Sequence, residues 1–216
     1  MKRLILIVLF LSLYSCTAID ANRIAPGYID AFKSLRNVFF GYEQNIDPEL
    51  IEKIPYASML VKIGKGPQSL MILESAISGK YIWVSADGVY IVIKDGRIIR
   101  TSGLSNNLFK IESSQLKWEE IIFGDQIYTS YYSFLNPTLN NLKVTSSFKM
   151  HNKANGNLAF ETKDLRLVEE NIISETIDWN EENKFWIDET GFVWKSIQHI
   201  SPKLPPVHFE VTKKPR

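Results

Sequence analysis

Residues 81–101 read YIWVSADGVYIVIKDGRIIRT. Three short runs rich in β-branched and aromatic residues, at 81–85, 89–94 and 97–101, are separated by Asp87-Gly88 and Asp95-Gly96. An Asp-Gly pair suits a type I′ turn, whose two central residues both need positive φ and whose twist matches the strands of a hairpin. The stretch therefore predicts a three-strand antiparallel meander.

Period-two patterning extends from this meander in both directions. Upstream, 58–63 and 68–74 are strand-like and joined by Gly64-Lys65-Gly66-Pro67. Downstream, 102–110 is less regular and reads as a loop with a short helix. Residues 127–135 and 142–151 flank a turn at Asn136-Pro137. In the second of these runs Leu142, Val144, Phe148 and Met150 share one face, while Lys143, Thr145, Lys149 and His151 share the other. Such a strand has one face in a core and one in water. Residues 152–157 turn the chain into further strands at 158–168, 172–179 and 184–187. Asp188-Glu189-Thr190-Gly191 then turns it into 192–200. Pro202 and Pro205-Pro206 interrupt, and 207–211 reads as an edge strand.

The main helical signals stand before the first strand. Residues 28–40 carry Ile29, Phe32, Leu35 or Arg36, and Phe39 at helical spacing. Asp47-Pro48-Glu49-Leu50 offers an N-cap aspartate followed by proline at the first helical position, and Pro55 ends the segment. One or two N-terminal helices flanking about ten antiparallel strands imply a mainly β, barrel-like sheet, closed or nearly closed on itself.

The first residues have a different grammar. Lys2 and Arg3 precede an apolar run at 4–11, and Ser12-Leu13-Tyr14-Ser15 lead into Cys16, the only cysteine. That run is far short of the about 20 apolar residues a membrane span needs, so 1–15 reads as a secretory signal segment. Leu13-Tyr14-Ser15-Cys16 resembles the bacterial lipobox, although Tyr14 stands where a small residue is usual. Cys16 is then the lipid attachment site, and 16–26 is a short tether to one β-rich domain at 27–216. Acylation puts several chains into the bilayer, each buried methylene adding roughly 0.8 kcal/mol. Thr17, rather than an inner-membrane-retaining Asp, points to the outer membrane, facing the periplasm.

Composition excludes several classes. Removing 1–15 leaves 23 Lys plus Arg against 24 Asp plus Glu. A near-neutral chain has no electrostatic footprint for nucleic acid. With Cys16 lipidated, no thiol remains for a disulfide, so the fold must rest on its hydrophobic core. Residues 17–216 hold no run of membrane-spanning length.

Catalytic and metal chemistry find little support. His151, His199 and His208 lie on separate strand-like segments without paired metal spacing. No Gly-x-Ser-x-Gly and no phosphate-cradling glycine loop occurs. Glu119-Glu120, Glu169-Glu170 and Glu181-Glu182 could supply the carboxylate pair of a glycosidase, but adjacent acids in β or turn sequence usually mark a solvated face. No cofactor and no metal is expected. Arg97 and Arg100, beside the Asp95-Gly96 turn, could grip acidic sugars or a partner's carboxylates through the planar guanidinium fork. The plainer reading is local pairing with neighbouring acids. Among the tryptophans, Trp83 and Trp194 sit mid-strand, where large rings are usually core, yet Trp186 and Trp194 could stack on sugars. Ser196 and Gln198 share alternation with Trp194, so a polar cluster inside a barrel could begin there.

Several strings together resemble a known family. Ile51-Glu52-Lys53-Ile54-Pro55-Tyr56-Ala57-Ser58 runs to Gly66-Pro67-Gln68. Trp83-Val84-Ser85-Ala86-Asp87-Gly88 leads to Asp95-Gly96-Arg97-Ile98-Ile99-Arg100-Thr101-Ser102-Gly103-Leu104. Asn183-Lys184-Phe185-Trp186-Ile187-Asp188, Gly191-Phe192-Val193-Trp194-Lys195-Ser196-Ile197-Gln198 and Pro205-Pro206-Val207 follow in order. With the lipobox, these resemble the YjbF/GfcB family of group 4 capsule polysaccharide lipoproteins, from about residue 26 to the C-terminus. The resemblance implies an antiparallel barrel-like domain with flanking helices. It also implies a role in making or exporting extracellular polysaccharide, alongside an outer-membrane β-barrel protein. It carries no catalytic residues. The expectation is a non-enzymatic accessory lipoprotein; the alternatives are a polysaccharide-modifying hydrolase using barrel-mouth carboxylates and a purely structural envelope lipoprotein.

Overall fold

The computed structural model describes residues 48–113, 118, 127–154 and 156–215. The signal segment, Cys16, Thr17, the tether, the helix read at 28–40, Asp47 and Glu119-Glu120 lie outside them. Among the described residues one short α-helix, α1 (Pro48–Lys53), precedes the strands, with Pro48 at its first position.

Twelve strands follow. The first five are β1 (Ser58–Ile63), β2 (Gln68–Ile77), β3 (Lys80–Ser85), β4 (Tyr90–Lys94) and β5 (Arg97–Ser102). The other seven are β6 (Asn107–Ser113), β7 (Tyr128–Leu135), β8 (Leu139–Ala154), β9 (Leu165–Ser174), β10 (Trp179–Ile187), β11 (Val193–Gln198) and β12 (Val207–Lys213). All pair antiparallel in one sheet, ordered β5-β4-β3-β2-β1-β12-β11-β10-β9-β8-β7-β6. Two meanders, β1–β5 and β6–β12, are thus joined through β1 and β12, and the sheet curls into a nearly closed barrel.

Alternation decides which residues face inward. In β4, Ile91 and Ile93 are buried while Tyr90, Val92 and Lys94 are not. In β12, Val207, Phe209 and Val211 point in. With Trp83, Ile98, Phe134, Phe185 and Ile187 they form one continuous core, whose apolar area is removed from water at roughly 25 cal/mol per Å².

The meander of residues 81–101 forms as β3-β4-β5. At its second turn Asp95 (φ 50°) and Gly96 (φ 75°) both lie in the left-handed region, as a type I′ turn requires. The first turn differs. Only Gly88 has positive φ there, and Gly88 N–H donates to Ser85 O while Ser85 N–H donates to Val89 O, making a longer loop.

Other expectations are corrected. Residues 102–110 hold no helix: β6 occupies 107–113, because Leu108 enters the core while the corner before it is built from side-chain hydrogen bonds. The strand read at 158–168 is mostly loop, with β9 starting at Leu165. Gly156 folds so close to Lys163 that an added Cβ would lie 1.8 Å from the Lys163 carbonyl oxygen. The strand read at 172–179 contains a hairpin turn instead. A single 3-10 turn (Glu175–Ile177) and Asp178 at φ 52° reverse the chain without any Gly or Pro to mark it. Finally, β12 is no edge strand, since β1 and β11 pair with it on both sides. Its prolines stop short of it, at Pro205-Pro206, so none removes a ladder donor.

Candidate functional site at the barrel seam

The two ends of the sheet, β5 and β6, are consecutive in the chain yet make no backbone ladder with each other. Side chains bridge them at the corner. Leu108 N–H donates to Thr101 Oγ1 at 2.9 Å, and Asn107 accepts from Leu104 N–H and donates to Leu104 O. Asn106 donates to the carbonyls of Leu135 and Asn136, both at 3.1 Å, and its Oδ1 accepts from the Ser201 hydroxyl.

The other end of β5 is anchored inside the barrel. Gln198, on the inward face of β11, accepts from Ile98 N–H at 2.9 Å and donates to Gly96 O at 2.9 Å. Its amide thus takes the role of a missing neighbouring strand. Trp118 Nε1 donates to Asp95 O at 2.9 Å. Packing here admits only glycine: a Cβ on Gly96 would lie 2.0 Å from Val193 Cγ2, and its φ is left-handed.

Arg97 continues inward. Its guanidinium holds both oxygens of Glu170, at 2.8 and 3.0 Å, and lies 5.3 Å from the Phe185 ring centroid. Glu170 is 1% exposed and also accepts from Asn183 at 2.9 Å. Asn183 in turn accepts from His199 N–H at 2.6 Å. A buried charge is tolerable only when paired and hydrogen-bonded in this way. Burial alone would push the Arg97 pKa down, but the Glu170 carboxylate outweighs it and holds the pKa above its usual value. Tyr132 shares the interior. Burial raises its pKa to about 12, with Arg97 opposing and Glu170 assisting. The Arg97 Nη2 atom is buried without a hydrogen-bond partner.

Beside this anchor, a cleft of about 650 Å³ opens between the sheet ends. One wall is the face of β3 and β4 turned away from Trp83 and Ile91, carrying Lys80, Ile82, Val92 and Lys94. The base is Asp95, Arg97, Ile99 and Arg100, and the far wall is Phe109, Lys110, Ile111, Glu112 and Ser113, with Trp118 also lining it. Lys110 and Glu112 are ion-paired. The Arg100 guanidinium sits 5.3 Å over the Phe109 ring.

The residues singled out in the sequence scatter between roles. Arg97, Arg100 and Gln198 meet at the seam. Arg97 does not pair locally, because its acid partner lies 73 residues away on the inward face of β9. Trp194 belongs to a different structure. It donates to Asp188 at 2.9 Å, Lys163 Nζ sits 4.1 Å over its ring, and Phe192 packs edge-on at 5.2 Å. Partial burial tends to raise the Asp188 pKa. Hydrogen bonds from Thr190, Trp194 and the Phe192 backbone outweigh that and hold it below the usual carboxylate range. Trp186 is half-buried on the outer side, with Lys195 Nζ 5.7 Å from its ring. His151 and His199 each face a carboxylate, Glu169 and Glu181, and among the described residues no cluster of metal-ligating side chains forms.

No sequence signal marks Asn183, Tyr132, Lys80, Lys94 or Phe109 as site residues, and Glu170 is buried rather than part of a solvated pair. For Glu170 a signal existed. Val168, Glu170, Ile172 and Ser174 share one alternation, which puts a charge on an apolar face. Reading Glu169-Glu170 as a solvated pair hid it; Glu169 alone faces outward, against His151 and Lys184.

A family model for the group 4 capsule polysaccharide lipoproteins gfcB and YjbF matches residues 32–211. The chain belongs to this family. Among similar proteins of Escherichia coli (strain K12), the uncharacterized lipoprotein YjbF is 26% identical over 99% of this chain and 98% of its own length. The uncharacterized lipoprotein GfcB is 23% identical over 99% of both chains. The crystal structure of the hypothetical lipoprotein YmcC from Escherichia coli (K12) has the same fold. Its TM-score is 0.72 at 21% identity, covering 86% of this chain and 96% of that one.

Proposed function

We propose that this chain is a lipid-anchored accessory factor in the production or export of capsule or exopolysaccharide, acting without catalysis at the periplasmic face of the outer membrane. The observation that carries this reading is the family match across residues 32–211. Cys16 supplies the anchor, since several acyl chains on and beside one residue hold a protein on a bilayer where a single chain holds only marginally. Thr17 directs that anchor to the outer membrane. The barrel then offers the seam cleft to nascent polysaccharide or to an outer-membrane β-barrel export protein.

Deleting the gene in its own host should strip surface polysaccharide, and the wild-type gene should restore it. A Cys16→Ala copy should leave the protein out of the membrane fraction and fail to restore the layer. An unchanged polysaccharide layer in the clean deletion overturns the reading. Release of reducing ends from polymer by the purified chain would move it to the hydrolase class, with Asp95 and Glu112 as the carboxylates in the cleft.

A further inference from the structure

Lys80, Lys94 and Arg97 form one row across three adjacent strands, since Lys80 pairs with Lys94 and Lys94 with Arg97 in the ladders. Like charges directly opposite one another in a sheet destabilise it. Glu170 neutralises Arg97 from inside the barrel. Among the described residues no acid pairs with Lys80 or Lys94. The next row, Ile82, Val92 and Arg100, repeats the arrangement with apolar side chains ending in a cation. Across the cleft Phe109 is 42% exposed and Trp118 lines the same space.

We propose that the cleft between β5 and β6 binds a carboxylate-bearing polysaccharide segment, with Lys80, Lys94 and Arg100 taking its acid groups and the exposed Phe109 ring a sugar face. This rests on the capsule reading above and names the chemical class of the glycan. Cations alone would serve any anion. What favours a glycan is their interleaving with Ile82, Val92 and an exposed aromatic ring, since sugar rings present C–H faces between their acid groups. The charged groups sit near the surface, so the interaction is salt-dependent. Binding leaves Arg97 and Glu170 in place as the support that positions β5.

The test uses the full-length chain, purified from membranes in detergent and titrated with oligogalacturonate, with neutral maltooligosaccharide and poly-glutamate as comparisons. Calorimetry reports binding, and circular dichroism checks each variant's fold. Oligogalacturonate should bind, weaken with added salt, and lose about tenfold in affinity in Lys80→Gln/Lys94→Gln, as two lost surface charge contacts predict. Arg100→Gln gives an independent second variant should the double one misfold. Maltooligosaccharide should not bind. Equal binding of charged and neutral sugars, or full affinity in both folded variants, overturns the proposal. So does capture of poly-glutamate with no oligogalacturonate binding, which would assign the cleft to an acidic protein. A deletion that loses the polysaccharide layer while the cleft binds no oligogalacturonate sinks this proposal alone. Binding with an unaltered layer in the deletion sinks the pathway reading alone.

Discussion

At the β1–β12 junction the backbone closes the barrel, whereas at the β5–β6 junction side chains do. The first is a ladder from Ser58↔Lys213 to Ile63↔Val207, joining strands about 150 residues apart in sequence. The second joins neighbours in sequence through Thr101, which accepts from Leu108 N–H and bonds Asn107 at the corner, while Gln198 of β11 and Trp118 hold the hairpin tip. A backbone ladder uses every donor and acceptor along its edge and leaves no volume. A side-chain closure fixes a few points and lets the edges diverge between them, so the cleft and its cations lie there. Of the two junctions, the opening lies at the one with the shorter chain connection and so the smaller loop entropy.

Matched substitutions on the two junctions should separate them most strongly. Phe209 in β12 is 2% exposed, and Phe209→Ala should cost about 3–5 kcal/mol in urea unfolding. Phe109→Ala in β6 should cost less than about 0.5 kcal/mol while weakening oligogalacturonate binding. Equal losses would mean that the seam is packed as tightly as the ladder. The seam's interior support can be broken next. Arg97→Met leaves Glu170 buried and unpaired and should cost about 3–5 kcal/mol. The double variant Arg97→Met/Glu170→Met should recover most of that, because apolar replacement of a buried pair is often neutral. A double variant as unstable as the single would show that the pair does more than neutralise itself.

The mildest test is alkaline. Tyr132 has a folded pKa raised to about 12 from 10, so its contribution is complete below pH 10 and is lost as pH rises through about 12. Two pH units of displacement correspond to roughly 3 kcal/mol at most. Urea midpoints should therefore fall more steeply between pH 10 and 12 in the wild type than in Tyr132→Phe. Parallel slopes would place the phenol in an environment that does not resist ionisation.

Legibility followed physical range. Alternation and the Asp95-Gly96 turn act over a few residues, so β3, β4 and β5 could be read directly. The Glu175–Asp178 turn has no Gly or Pro, and its left-handed Asp178 gives no distinctive local signal, so the local pattern alone reads as one continuous strand. Pro205-Pro206 made β12 look like an edge, although the prolines lie just outside the ladder. At the site, the alternation of Trp194, Ser196 and Gln198 pointed inward. The partner of Gln198 could not be named, because it is backbone 100 residues away.

By itself the chain's order of residues determined a mainly β protein, its antiparallel meander, its inward and outward faces and its family, because each depends on short-range pattern or on strings in order. Tertiary structure decided which strands meet. It brought β1 onto β12, left β5 and β6 unladdered, turned the Asp95-Gly96 hairpin tip into the barrel, and gathered Lys80, Lys94, Arg100 and Phe109 around one cleft. Those outcomes depend on contacts between residues far apart in sequence, and they are settled only when the whole sheet curls and its two ends meet.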